Sequence, residues 1–402
     1  MHIAFWSPAW PLEKYQNGVI TYVHWMKREL ERQGHKISVF TGELDSSTRE
    51  ANVYHVTNVH RPLWIRAKRR LLRSKLPTEH DVFDFSTAIA AQILEVHRDS
   101  PIDVIEMEES FGWFADIGKL TRIPLLVKLH GPSFLSLVEE ELATPFGRER
   151  VDREGNALKW ATAIVAPSQS TLVSTLQRYE LTPMDKGHIV NPMTMDDDTP
   201  LWRLDACDPN TILFVGRFDL HKGADVVLKA FRSVLRVFPS AKLIFAGPDI
   251  GLPGEDGRRI QFDSYRDSLF PAELRDRVDF RGRLANKEVA KLRTQAMVTV
   301  VASRWESQGY TLLEAMLQGC PVVSTDAGGC AESVAHGVNG LLAKSGVAED
   351  FAAQVCAILE DPQRAALMGQ VARRHVLQQH SAARVAAASV EIYDKIIARH
   401  RQ

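Results

Sequence analysis

An alternation that runs the length of the chain, and is interrupted once, most constrains its fold. Short apolar runs bounded by Gly, Pro or polar residues alternate with segments whose apolar residues recur at helical spacing. That is the pattern of parallel strands joined by crossover helices. HIAFW, near the start, is followed by Val19, Val23, Met26 and Leu30 along one helix face, and then by GHKISVFT. IDVIEM (102–107), PLLVKLH (124–130), TAIVAPS (162–168) and HIV (188–190) read as further strands. The stretch 191–211, NPMTMDDDTPLWRLDACDPNT, breaks the pattern with three prolines and a run of acids. The alternation restarts at TILFVG (211–216) and continues through AKLIFAG (241–247), VDFRG (278–282), MVTVVAS (297–303) and PVVSTD (321–326).

A length of 402 residues exceeds what one core normally supports, so the break marks a boundary between two α/β domains, 1–195 and 211–382, with 196–210 as linker. In open parallel sheets ligands bind beyond the carboxyl ends of the strands, which directs attention to the loops that follow them. Composition narrows the classes. A net charge of −1 does not suit a nucleic-acid binder as a whole, and no apolar run reaches the roughly 20 residues of a membrane span. The start of the chain has no basic segment followed by a long apolar one, so a cytoplasmic protein is expected. The four cysteines show no metal-ligand spacing and read as reduced and structural.

Two strand-end loops concentrate chemistry. In FVGRFDLHKGADVV the strand ends at Gly216, Arg217 follows at once, and Lys222 and Gly223 precede a helix. Two cations beside free helix N–H groups suit a pyrophosphate. In VVASRWESQGYTLLEA a loop carrying Glu306 and Gln308 precedes a helix expected to start between Gly309 and Thr311, with Glu314 about one turn inside it. The N–H groups of Gly309, Tyr310 and Thr311 are then donors at a helix start. Two carboxylates at different depths would grip two hydroxyl-bearing parts of one ligand, with an anion between them.

Together the loops resemble the retaining glycosyltransferases of family 4. GRFDLHKG matches that family's GR…KG motif, and Glu306 to Glu314 matches its paired glutamates with seven residues between. GCPVVSTDAGGCAESVAHGVNGLL follows the family's downstream pattern of double glycine, Glu and NG. The resemblance implies the GT-B fold: two facing Rossmann-like domains with parallel sheets and a cleft between, the last helix (383–402) crossing back onto the first domain. It implies a hexose moved from a UDP- or GDP-type sugar, with retained configuration, to a hydroxyl of a glycan, a lipid-linked or a small-molecule acceptor. Arg217 and Lys222 would bind the diphosphate and stabilise its growing charge, Glu314 would hold the ribose hydroxyls and Glu306 the transferred sugar. The backbone of Gln308, Gly309, Tyr310 and Thr311 would cradle sugar and phosphate. Gly18, in the loop after the first strand, would meet the diphosphate, and His130, in VKLHGPS, would lie near the donor sugar. Gln308 departs from the apolar or aromatic residue common in the family.

The nucleotide sugar is then a co-substrate, and no cofactor or metal is expected, because two cations and a helix start neutralise the diphosphate. The acidic run Asp196 to Asp198 reads as a solvated part of the linker. On the acceptor side, RPLWIRAKRRLLRSK carries Arg61, Arg66, Lys68, Arg69, Arg70, Arg73 and Lys75 without an acid. It is either a solvated helix face or a contact for an anionic acceptor or the inner face of an anionic membrane. A sugar phosphorylase of the same fold and a non-catalytic nucleotide-sugar binder remain alternatives. A dinucleotide-dependent oxidoreductase is disfavoured, since no G-x-G-x-x-G turn follows the first strand.

Overall fold

The computed structural model describes residues 1–15, 17–57, 79–195, 198–254 and 257–402, without the side chains of 79–84. The chain divides into two compact units, Met1–Pro192 with Ala382–Gln402, and Met193–Ser381.

The first unit is built on a seven-stranded parallel sheet: β1 (His2–Trp10), β2 (Lys36–Leu44), β3 (Val53–His55), β4 (Val104–Glu108), β5 (Leu125–Lys128), β6 (Ala163–Ala166) and β7 (Asp185–His188). Its order is β3-β2-β1-β4-β5-β6-β7. Strands β4, β5 and β6 are almost wholly buried, as expected where helices cover both faces. Because the order reverses between β1 and β4, their carboxyl ends splay apart and open a crevice for a ligand. The closing helix Ala382–His400 packs on this unit, where the Tyr393 hydroxyl donates to the buried Glu106 carboxylate on β4.

The second unit repeats the plan with six parallel strands: β8 (Asp208–Val215), β9 (Lys242–Ala246), β12 (Val278–Gly282), β13 (Ala296–Val301), β14 (Val322–Thr325) and β15 (Leu341–Ala343). A short antiparallel pair, β10 (Leu252–Pro253) and β11 (Arg259–Ile260), lies apart from the sheet. The sheet order is β12-β9-β8-β13-β14-β15, so the reversal falls between β8 and β13. The loop carrying Arg217 and Lys222 and the loop carrying Glu306 leave the carboxyl ends of these two neighbouring strands.

Three details differ from the sequence expectation. The three-residue strands β3 and β15 are added, and the strand expected at 188–190 lies at Asp185–His188. The stretch 196–210 is not a loose linker in its described part, 198–210. Trp202 is only 8% exposed, its indole N–H donates to Ala296 O at 2.8 Å and its backbone N–H to Gln318 O at 2.9 Å, and β8 already begins at Asp208. A large aromatic side chain with a satisfied polar edge anchors this stretch to the second unit.

Candidate functional site

In the second unit the loop after β8 turns sharply into the helix Ala224–Val237. The turn depends on Gly223, whose φ is +68° and whose missing Cβ would lie 1.9 Å from Ala302 O. Only glycine permits this approach to the neighbouring loop. Within the turn Asp219, 7% exposed, accepts from Arg217 Nε at 2.5 Å and from the Lys222 backbone N–H at 2.8 Å. One buried carboxylate thereby sets both cations of the motif. Arg304, from the loop after β13, reaches Leu220 O and makes a two-pronged contact with Asp225 at 2.8 and 2.9 Å. The two loops are therefore locked together.

The helix expected near Gly309 runs from Tyr310 to Gln318, with Gly309 as its cap residue. Glu306 lies ahead of it, paired with the Lys222 ammonium and accepting from Ser303 Oγ at 2.7 Å. Burial pushes its carboxyl upward, but the charges of Lys222 and His221 and these hydrogen bonds outweigh burial and hold it below the ordinary range. From behind, Gly329 N–H donates to Glu306 O at 2.8 Å, and at Gly328, φ +57°, a Cβ would sit 2.3 Å from that oxygen. The double glycine of STDAGG is thus the backing of the Glu306 loop.

Glu314 is half-buried inside the helix, and Arg293, 3% exposed, donates to it at 2.5 Å while its other nitrogen faces Gln318 Oε1 at 3.3 Å. Gln308 is 7% exposed, and the buried Tyr310 hydroxyl has no hydrogen-bond partner among the described residues. Thr311 is half-buried at the helix start.

Arg217, Lys222, Glu306, Gln308, Gly309, Tyr310, Thr311 and Glu314 therefore belong to two adjacent strand-end loops and one helix. What sequence reasoning missed is the set of partners that hold them: Asp219, Asp225, Arg293, Ser303 and Arg304.

In the first unit Gly18 is exposed at the start of the helix Gly18–Arg32, capped by Asn17, whose side chain accepts from Val19 N–H at 2.8 Å. Its first N–H groups can face an anion. His130 follows β5, and its ring meets Tyr22 edge-on with centroids 5.0 Å apart. Burial, reinforced by the Lys128 charge, pushes its imidazole down to about 3, so it is neutral at physiological pH. Its backbone is held by Glu109, another residue that sequence reasoning passed over.

The acceptor-side residues Arg66, Lys68, Arg69, Arg70 and Arg73, with Arg61 and Lys75, lie outside the described residues, as do Asp196 and Asp197. Asp198 pairs with exposed Lys287 at 3.0 Å. Among the described residues no group of three or more His, Cys, Asp or Glu is placed to hold a metal, and all four cysteines are free thiols.

Comparison with known proteins bears on this geometry. The family described as "Glycosyl transferases group 1" matches residues 204–375, and "Glycosyl transferase 4-like domain" matches residues 17–183. The chain is a glycosyltransferase. The D-inositol 3-phosphate glycosyltransferase of Corynebacterium aurimucosum is 27% identical over 395 residues, spanning 94% of this chain and 90% of that one. The sucrose-phosphate synthase of Thermosynechococcus elongatus superposes with a TM-score of 0.75 at 20% identity, covering 99% of each chain. HepE of Anabaena, solved with UDP-glucose, gives a TM-score of 0.69 at 20% identity over 98% of this chain and 100% of its own. The fold of this glycosyltransferase is GT-B. Among its described residues no helix is long and apolar enough to cross a membrane.

Proposed function

We propose that this glycosyltransferase moves a hexose from a UDP- or GDP-type sugar, with retention of configuration and without a metal, to a hydroxyl of a glycan, lipid-linked or small-molecule acceptor. The observation that carries this reading is the contact of Lys222 with Glu306 at the mouth of the second sheet, beside Arg217 and the start of the helix Tyr310–Gln318. Cations and helix N–H groups there suit a diphosphate, and carboxylates on either side of the helix start suit sugar hydroxyls.

In the proposed reaction the bond between the sugar's anomeric carbon and the diphosphate oxygen breaks. Negative charge grows on that oxygen and positive charge on the ring. Arg217 and Lys222, preset by Asp219, stabilise the leaving group as its charge develops, which accelerates the step more than equal binding of substrate would. Glu306 holds the sugar and Glu314, steadied by Arg293, holds the ribose. His130 serves the reacting sugar as a neutral hydrogen-bonding group. The acceptor hydroxyl attacks on the face the diphosphate leaves, and its proton departs with the nucleoside diphosphate.

The reading is tested by a thermal-shift screen of nucleoside diphosphates and sugar nucleotides, followed by NMR of the product's anomeric proton. A ligand at 100 times its Kd stabilises by about 2.7 kcal/mol. Absence of any shift with all of them overturns the donor, and an inverted anomeric centre overturns retention. A contact of the basic run 61–75 with anionic membrane predicts sedimentation with anionic liposomes at low salt and release at high salt.

A further inference from the structure

In the first unit the segment His130–Ser133 has three backbone N–H groups, since Pro132 has none, and all three end on buried carboxylates. His130 N–H donates to Glu109 Oε2 at 2.8 Å and Gly131 N–H to Glu109 Oε1 at 2.7 Å. Ser133 N–H donates to Glu154 Oε2 at 2.8 Å, and Ser133 Oγ to Glu154 Oε1 at 2.7 Å. Both glutamates are 1% exposed. Glu154, from the helix Pro145–Leu158, also takes the N–H of Phe111 at 3.4 Å and Arg150 Nε at 3.2 Å. Phe111 is held at φ +58°, a strained value for a residue with a side chain, with the Arg150 guanidinium 4.5 Å over its ring. Two glutamates thus join the loop after β4, the loop after β5 and one helix.

A turn that needed only closure could be capped by hydroxyls or by backbone. Burying two carboxylates within one cluster is costly, and burial with the Glu154 and Glu108 charges pushes Glu109 up to about 8. What Glu109 adds is stiffness, because its two oxygens sit at a fixed separation in one rigid plane. Glu109 uses one oxygen for each of two successive N–H groups, which fixes the peptide planes on both sides of the His130 side chain.

We propose that Glu109 and Glu154 are positioning residues for transfer: they act through His130, Glu109 by holding its backbone and Glu154 by fixing Ser133 in the same turn, so that the imidazole is aimed before substrate arrives. The proposal rests on the role given to His130 above. Misplacement of a reacting group by about 1 Å costs on the order of 100-fold in rate, which sets the scale of the effect.

The test is a double-mutant cycle on kcat with His130→Ala, Glu109→Gln and their combination, with Glu154→Gln as a parallel variant should Glu109→Gln fold poorly. Glu109→Gln keeps the shape but turns an amide N–H toward a backbone N–H. It is expected to lower kcat about 10- to 100-fold, while the affinity for nucleoside diphosphate measured by calorimetry stays within about twofold. Glu109→Asp, which keeps both acceptor oxygens, restores part of the loss. In the His130→Ala background Glu109→Gln adds little, since the group it aims is gone. Fully multiplicative losses overturn the proposal, as does wild-type kcat in Glu109→Gln beside an inactive His130→Ala. Wild-type kcat in His130→Ala is a different failure: it removes the role of His130 and the proposal with it.

Discussion

Lys222 and Glu306 stand 84 residues apart in the chain and form an ion pair in the second unit. Under the proposed function the pair gives Lys222 two claimants, since a diphosphate at this ammonium would compete with the Glu306 carboxylate. Glu306→Gln removes the competitor, an ion pair worth about 0.5–1 kcal/mol when partly exposed. The expected result is roughly two- to fivefold tighter binding of free nucleoside diphosphate by calorimetry. Turnover falls at the same time. Weaker binding of the free nucleotide would place Glu306 among the diphosphate's own contacts instead.

Lys222→Ala and Arg217→Ala remove a charge that faces the leaving group in the proposed reaction. Each is expected to lower kcat by about 100- to 1000-fold while the protein stays folded. Steady-state kinetics with circular dichroism checks this, and near-normal turnover in either variant argues against the phosphate assignment.

Arg293 is the buried partner of Glu314. Arg293→Ala leaves that carboxylate without its donor and is expected to cost about 1–3 kcal/mol of stability. Nucleotide affinity should fall with it, by an amount similar to that in Glu314→Ala. Calorimetry on both variants and their combination decides: additive losses would separate Arg293 from the proposed ribose contact.

Gly223→Ala places a methyl group where Ala302 O already lies and forces a left-handed residue. A loss of about 2–4 kcal/mol is expected. Chemical denaturation would show it as a lower midpoint, and an unchanged midpoint would mean that the turn relaxes freely.

The His130 imidazole lies at about 3 in the folded protein, against an ordinary 6.5. The folded state binds this proton less readily than the unfolded chain, so the contribution is complete above about 6.5 and lost as pH falls from there toward 3. Stability should fall across that window with a slope of up to about 1.4 kcal/mol per pH unit from this one proton. The slope should be shallower in His130→Asn. By NMR the ring resonances should stay flat from about pH 8 to 5; a midpoint near 6.5 would contradict the burial argument.

How much of this was legible in the sequence follows from the range of each interaction. Strands such as β6, buried on both faces, announce themselves as unbroken apolar runs. Arg217, Lys222, Glu306 and Glu314 were legible because each sits at a fixed step from a glycine or a helix start. Their partners were not. Asp225 meets Arg304 across 79 residues because β8 and β13 are neighbours, and strand order is not written in local spacing. Glu109 and Glu154 sit in EMEES and DREGN, which read as surface acids until the fold buries them. Trp202 shows the opposite error: prolines and acids suggested a linker, while one aromatic residue in their midst was the better guide.

The return of the helix Ala382–His400 to the first unit makes the second unit an insertion within it. On a ribosome, residues 193–381 are all synthesised before the last 21 residues of the first unit exist. The domain that starts synthesis second thus has its whole sequence made first, and the β4 carboxylate of Glu106 waits for Tyr393 until residues 193–381 have been added. A truncation at residue 192 removes that helix from the first unit, whereas 193–381 is one continuous piece that can be cut out whole.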